Sequence, residues 1–169
     1  CLDLQGLHRP VHLAIIGGEP DALPEDMSDE MTRLQKICDD LCVGGMVIFL
    51  GKRGQDTLPY YYSAAEVLVM PSLYESFGMV ALEAMACGTP ALTTYSGAIP
   101  EIVEDAALLC QPNDFLSLAE NLARLVREPA LRAELAEKGA ALAQRRYALP
   151  DYAQRLAAVY AGLVKQTTA

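Results

Sequence analysis

Short, almost wholly apolar runs recur along the chain, each closed by a turn and followed by an amphipathic stretch, beginning with Val11-His-Leu-Ala-Ile-Ile16 and Gly17-Gly18. Strands apolar on both faces belong to parallel sheets covered by crossover helices, so this alternation predicts an α/β fold, Rossmann-like, with helices on both faces of a parallel sheet. Strands are expected at residues 11–16, 46–50, 67–70, 91–94 and 107–110, and helices at 28–41, 58–65, 78–87 and 99–104. Three further helices are expected in succession at 115–127, 130–146 and 151–165. Asp114 is a natural N-cap, Pro129 and Pro150 sit where proline is tolerated at a helix start, and Glu134 and Lys138 form a supportive i,i+4 pair. The stretch 18–27, with Pro20, Pro24 and four acidic residues, is expected to be a mobile excursion or a solvated turn. No repeat or low-complexity segment interrupts the pattern, and residues 1–169 are expected to form a single domain without an internal boundary.

With 52% hydrophobic and 21% charged side chains in 169 residues, the chain has apolar material for one ordinary core and too much for a disordered segment. The net charge of -9, from 13 Lys+Arg against 22 Asp+Glu, offers no positive field for a nucleic-acid backbone. The longest apolar runs, such as Val67-Leu-Val-Met70, fall far short of the roughly 20 residues a membrane helix needs, and no basic start with a small-residue cleavage site precedes them. Five cysteines, at 1, 38, 42, 87 and 110, are an odd number in scattered settings, which suits reduced thiols and a cytoplasmic location. A zinc set of His8, His12, Cys38 and Cys42 is set aside because Pro10 interrupts the histidine pair. The chain begins at Cys1 rather than Met and is expected to be part of a longer protein.

The chemistry concentrates in Val69-Met-Pro-Ser-Leu-Tyr-Glu-Ser-Phe-Gly-Met-Val-Ala-Leu-Glu-Ala-Met-Ala-Cys-Gly-Thr-Pro90, which runs from a strand through a loop and helix into the next strand. Glu75 lies in the loop at the carboxyl end of a strand, where open α/β sheets bind ligands. Glu83 is the only polar side chain in its helix, with Met79, Val80, Ala86 and Cys87 as its i±3 and i±4 neighbours. A carboxylate among such neighbours needs hydrogen-bond donors. A ligand with vicinal hydroxyls, such as a ribose, can supply them; alternatively Glu83 faces a solvent gap at the helix edge. Ser76, Phe77 and Gly78 form the first turn of this helix, so their backbone N–H groups and the positive end of the helix dipole make a phosphate cradle. Phe77 is expected to pack down as a hydrophobic anchor. Ser96-Gly97-Ala98 and Pro100-Glu101 read first as ordinary turn and cap residues, with ligand contact as the alternative.

Glu75-Ser-Phe-Gly-Met-Val-Ala-Leu-Glu83 with Ala84-Met-Ala-Cys-Gly-Thr-Pro90 resembles the E-x7-E segment of retaining GT-B-type glycosyltransferases. The resemblance extends upstream through Leu58-Pro-Tyr-Tyr-Tyr-Ser-Ala-Ala-Glu-Val-Leu-Val-Met-Pro-Ser72 and downstream through Ser96-Gly-Ala-Ile-Pro-Glu-Ile-Val103. It implies the C-terminal, nucleotide-sugar-binding half of a two-domain enzyme. Glu75 matches the catalytic-site glutamate that lies against the donor sugar, and Glu83 the one that holds the nucleotide ribose. Ser76, Phe77 and Gly78 match the turn that contacts the donor sugar and diphosphate, and Gly51-Lys52-Arg53 the loop whose backbone lines the nucleotide base; the Lys52 and Arg53 side chains themselves are expected to be solvated. The turn at 96–98 departs from the double glycine usual there.

No Asp-x-Asp triplet occurs, so the resemblance implies metal-independent chemistry with a nucleotide-diphosphate sugar as substrate and no cofactor. It also implies an N-terminal acceptor-binding domain as partner, through which any peripheral membrane contact would be made. Residues 1–6 match the end of a helix that follows an additional first strand in the family, a segment with an Arg and a Lys aimed at the diphosphate; the chain is expected to lack it, and to transfer no sugar alone. A non-catalytic GT-B-like module that binds a nucleotide or a partner is the second function class.

Overall fold

The structure, a computed structural model, describes residues 10–19 and 28–167, with side chains described through Leu163. The expected excursion at 18–27 therefore lies outside the described residues except for Gly18 and Glu19, as do Cys1 to Gly6 and His8. The elements run β1 (Leu13–Ile16), α1 (Asp29–Asp40), β2 (Val47–Gly51), α2 (Leu58–Ala64), β3 (Leu68–Met70), α3 (Met79–Ala86), β4 (Ala91–Thr94), α4 (Ile99–Val103), β5 (Ala107–Cys110), α5 (Phe115–Arg127), α6 (Pro129–Tyr147) and α7 (Leu149–Thr167). All five expected strands and seven expected helices are present among the described residues, with ends that move by one or two residues. All strand ladders are parallel. Two compact units meet in the sequence between Leu58 and Pro59.

In the unit that ends at Leu58, β1 pairs with β2 in the register Leu13 to Val47, with an irregularity between Ile15 and Ile16. Ser28 caps α1 by accepting the Met31 N–H at 3.3 Å, and Met31 is its buried residue. Among the described residues of this unit α1 is the one α-helix, and one helix can cover one sheet face at most. Leu13 and Ile48 consequently stay about half exposed, at 50% and 48%, against the expectation that such apolar strands are covered on both sides.

The unit from Pro59 onward carries a sheet in the order β3-β4-β5, with Leu68 opposite Ala91 and Ala91 opposite Ala107. Every residue of β4 is buried, and its side chains alternate between two cores. Ala91 packs with Met70, Met85, Ile99, Val103 and Leu142, which brings α3, α4 and α6 to one face. Leu92 packs with Leu125 of α5 and Leu135 of α6 on the other. This is the helix-covered parallel sheet expected of an α/β fold. Asp114 caps α5 by accepting the Ser117 N–H at 3.0 Å, and Lys138 pairs with Glu134 at 2.9 Å. The apolar stripe of α7, Tyr152, Leu156, Val159, Tyr160 and Leu163, is exposed. No helix of the described residues is long and apolar enough to cross a membrane.

Candidate functional site

The four buried polar residues of the described chain, Thr89, Thr93, Thr94 and Ser96, lie in and beside β4. Each hydroxyl donates to a backbone carbonyl: Thr89 to Tyr62 at 2.6 Å, Thr93 to Met70 at 2.9 Å, Thr94 to Ser72 at 2.6 Å and Ser96 to Leu73 at 3.2 Å. The last three hold the end of β3 and the loop that leaves it. Ser96 Oγ also accepts the N–H of Glu75 at 3.0 Å, so one buried hydroxyl grips the Glu75 loop twice. The adjoining Gly97 has φ +53, and a Cβ there would collide with the Glu75 carbonyl oxygen. The turn at 96–98 is thus the support under Glu75. The sequence signal for it was the run of hydroxyl residues in an otherwise apolar strand, where each buried hydroxyl must find an acceptor.

Ser76, Phe77 and Gly78 do not form the first turn of α3 as the sequence suggests: the left-handed backbone of Gly78 makes it the N-cap, the helix begins at Met79, and Glu75 folds its carboxylate back onto the amides of the preceding turn. Phe77 N–H donates to its Oε1 at 3.2 Å, and the amides of Gly78, Phe77 and Ser76 together hold its carboxyl below the usual carboxylate value. An anion therefore occupies the amide turn that the sequence marks as a phosphate cradle, and that anion is the protein's own side chain. Gly78 makes the turn possible through a left-handed φ of +79, which a side chain would strain. Phe77 is partly exposed and stands edge-on to Tyr147, ring centroids 6.3 Å apart, which anchors the turn to the end of α6.

Glu83 lies further along α3, half-buried. The helix is less enclosed than its sequence implies: Ala81, Leu82, Ala84 and Met85 are buried, but Met79 and Val80 in the first turn stand clear of the core and remain exposed. Among the described residues one donor reaches Glu83, the hydroxyl of Tyr62 on α2, at 2.9 Å from Oε2. Burial first, and the Glu83 carboxylate second, hold the Tyr62 hydroxyl above its usual pKa, so it stays protonated and donating at neutral pH. Glu83 also borders an open groove between α3 and α6, lined by Met79, Ala86, Ala140 and Gln144.

Of the residues marked from the sequence, Glu75, Ser76, Phe77 and Gly78 gather in the turn that leads into α3, while Glu83 lies in the second half of that helix against Tyr62. Gly51, Lys52 and Arg53 belong to the other unit. There Gly51 closes β2 with φ +72 and accepts the Gly17 N–H at 2.9 Å, and Lys52 N–H donates to Gly18 O at 3.1 Å. The exposed Lys52 ammonium pairs with Glu19 at 2.7 Å, and the exposed Arg53 guanidinium donates to the Lys52 carbonyl at 3.4 Å. Among the described residues no group of three or more His, Cys, Asp or Glu side chains could hold a metal ion.

A family model described as glycosyl transferases group 1 matches residues 2–142. The D-inositol 3-phosphate glycosyltransferase of Acidothermus cellulolyticus is 38% identical over 142 residues, covering 83% of this chain and 31% of that protein. The chain thus spans about a third of the length of the curated relatives it matches. Among solved structures, a sucrose-phosphate synthase from Thermosynechococcus elongatus superposes with TM-score 0.81 at 33% identity, over 92% of this chain and 39% of that one. Anabaena HepE in complex with UDP superposes with TM-score 0.80 at 26% identity, over 90% of this chain and 41% of its own.

Proposed function

Because the chain belongs to the glycosyl transferases group 1 family, we propose that it is the donor-binding half of a retaining, metal-independent glycosyltransferase that takes its sugar from a nucleotide-diphosphate sugar. The observation that carries this reading is the placement of Glu75 in the loop between the carboxyl end of β3 and α3, the part of an open α/β sheet where ligands bind, with Glu83 on the helix that this loop leads into. Glu75 serves the transferring sugar, and Glu83 binds the ribose. The amides of Ser76, Phe77 and Gly78, released by Glu75 when an anionic ligand arrives, take the diphosphate. Gly51 to Arg53 serve the base through their backbone. The UDP and UDP-glucose in the HepE structures support a nucleotide-sugar donor. Metal independence is supported by the absence of an Asp-x-Asp triplet from the sequence, and a cytoplasmic location by four free thiols among the described residues.

A reacting centre in the cleft of a two-domain enzyme needs donor and acceptor held together, and the advantage of pairing them is worth about 7–11 kcal/mol. The chain by itself should therefore transfer no sugar, and joined to an acceptor-binding domain it should. In that joined protein the two glutamates fail differently. Glu83→Ala weakens nucleoside diphosphate binding about tenfold to a hundredfold, the equivalent of about 1.5–3 kcal/mol for a charge-assisted hydrogen bond. Glu75→Gln lowers kcat and leaves nucleotide affinity undiminished, because the bare nucleotide never touches it. Calorimetry and turnover on both variants, with and without a chelator, test the reading. Unchanged affinity in Glu83→Ala, or activity abolished by the chelator, contradicts it.

A further inference from the structure

We propose that Tyr62 is a positioning residue for Glu83, locking its carboxylate in the orientation that accepts a ribose hydroxyl and so setting the preference for ribose over deoxyribose. The inference rests on the reading of Glu83 as the ribose-binding carboxylate. Three observations carry it. Tyr62 is 7% exposed, and its hydroxyl donates to Glu83 Oε2 at 2.9 Å across 21 residues of sequence. Its own carbonyl is fixed by the fully buried Thr89 hydroxyl at 2.6 Å, so the phenol is held at both ends, by α3 through its ring hydroxyl and by the start of β4 through its backbone. Glu83 Oε1 has no hydrogen bond from any described residue.

A glutamate side chain has three rotatable bonds, and immobilising them on binding costs affinity unless they are already fixed. A charge-assisted bond from a buried phenol fixes them beforehand. It occupies Oε2 and leaves Oε1 to a ligand. The phenol has a single proton to give, so it cannot also donate to the ligand without releasing Glu83. Tyr62 thus acts through Glu83, and its removal should be read in ribose recognition rather than in stability alone.

The experiment compares binding of UDP with that of 2′-deoxy-UDP, and of ADP with 2′-deoxy-ADP, to the unsubstituted chain, Tyr62→Phe, Glu83→Gln and the double variant, by ligand titration at millimolar concentrations followed by NMR. The expected results are a ribose preference in the unsubstituted chain, its loss in Glu83→Gln, and a reduction of about three- to tenfold in Tyr62→Phe. The double variant should be no worse than Glu83→Gln alone, as expected of two residues in one chain of hydrogen bonds. A full ribose preference in Tyr62→Phe, or additive losses in the double variant, overturns the proposal while leaving the reading of Glu83 intact. A ribose preference that survives Glu83→Gln, or no binding of any of these nucleotides, overturns that reading and the proposal with it. Because the site raises the pKa of residue 62, a fluorinated tyrosine acidic enough to ionise there within the pH range in which the chain stays folded, its ionisation followed by fluorine NMR, asks the same question while keeping the phenol oxygen in place. Ribose preference should then fall as the phenol ionises, and a pH-independent preference would overturn the proposal.

Discussion

The unit that carries Glu75 and Glu83 and the unit that carries Gly51, Lys52 and Arg53 start from similar sequence material and reach different degrees of enclosure. Both are built on apolar runs closed by glycine-bearing turns. In the first, three strands have helices on both faces, and β4 disappears from solvent entirely. In the second, two strands have one α-helix among the described residues, and β1 keeps Leu13 and Ile16 exposed. An apolar strand is a demand for cover, and the number of neighbouring elements decides whether the demand is met. The consequence for function is that side chains needing fixed geometry sit on the enclosed unit, gripped by buried hydroxyls. The open unit offers the ends of its strands, tied together through the backbone of Gly17, Gly18, Gly51 and Lys52.

The comparison can be broken most readily by truncating equivalent apolar residues. Leu92→Ala in β4 removes a side chain that is 0% exposed, and should cost about 2–5 kcal/mol in urea unfolding. A cost below about 1 kcal/mol would mean that the enclosed core is looser than its burial implies. Gly97→Ala comes next. It places a methyl against the Glu75 carbonyl and requires a left-handed backbone, so about 1–3 kcal/mol of strain should be relieved by displacing the Glu75 loop. Amide shifts at 73–78 in this variant would mark the displacement, and an undisturbed loop would count against the support assigned to this turn.

A smaller effect is expected from acid. The amides of Gly78, Phe77 and Ser76 depress the Glu75 carboxyl, so its contribution to stability is present above the unfolded value of 4.5 and lost as the pH falls through the lower folded value. Glu75→Gln should flatten that part of the pH dependence, as read by unfolding across about pH 3 to 6. The Tyr62 hydroxyl, shifted upward, contributes stability that is full below pH 10.0 and lost as the pH rises toward its higher folded value. Smallest of all should be Leu13→Ala in β1, within about 0.5 kcal/mol because half of the side chain already meets water. A loss as large as that of Leu92→Ala would erase the distinction between the two units.

Much of this was legible in the sequence, and the omissions share one cause. The strands, the helices, the Asp114 cap and the Glu75 to Glu83 segment are local patterns, read from residues within a few positions of one another. Tyr62 and Ser96 act over 21 residues of sequence, and nothing local distinguishes Tyr62 from Tyr60 and Tyr61 beside it. What could have pointed to the pair is a matched need. A buried tyrosine hydroxyl wants an acceptor, and the lone carboxylate of an apolar helix wants a donor. The exposure of β1 escaped because periodicity reports which residues are apolar, not how many elements arrive to cover them. The contact of Glu75 with the amides before α3 is not legible in the sequence because an amide turn of this kind suits any anion, and the nearest one is tethered to it.

The central claim is that the start of α3 is a donor-binding site, and the most direct measurement is a titration of UDP into the isotopically labelled chain with every backbone amide and the Glu75 and Glu83 carboxyl groups followed by NMR. The largest changes should fall on the amides of Ser76, Phe77 and Gly78, with the Glu75 carboxyl moving as it leaves them and the Glu83 carboxyl moving as it meets the ribose. Binding that leaves those amides and both carboxyl groups unmoved, with its changes confined to other parts of the chain, would contradict the claim.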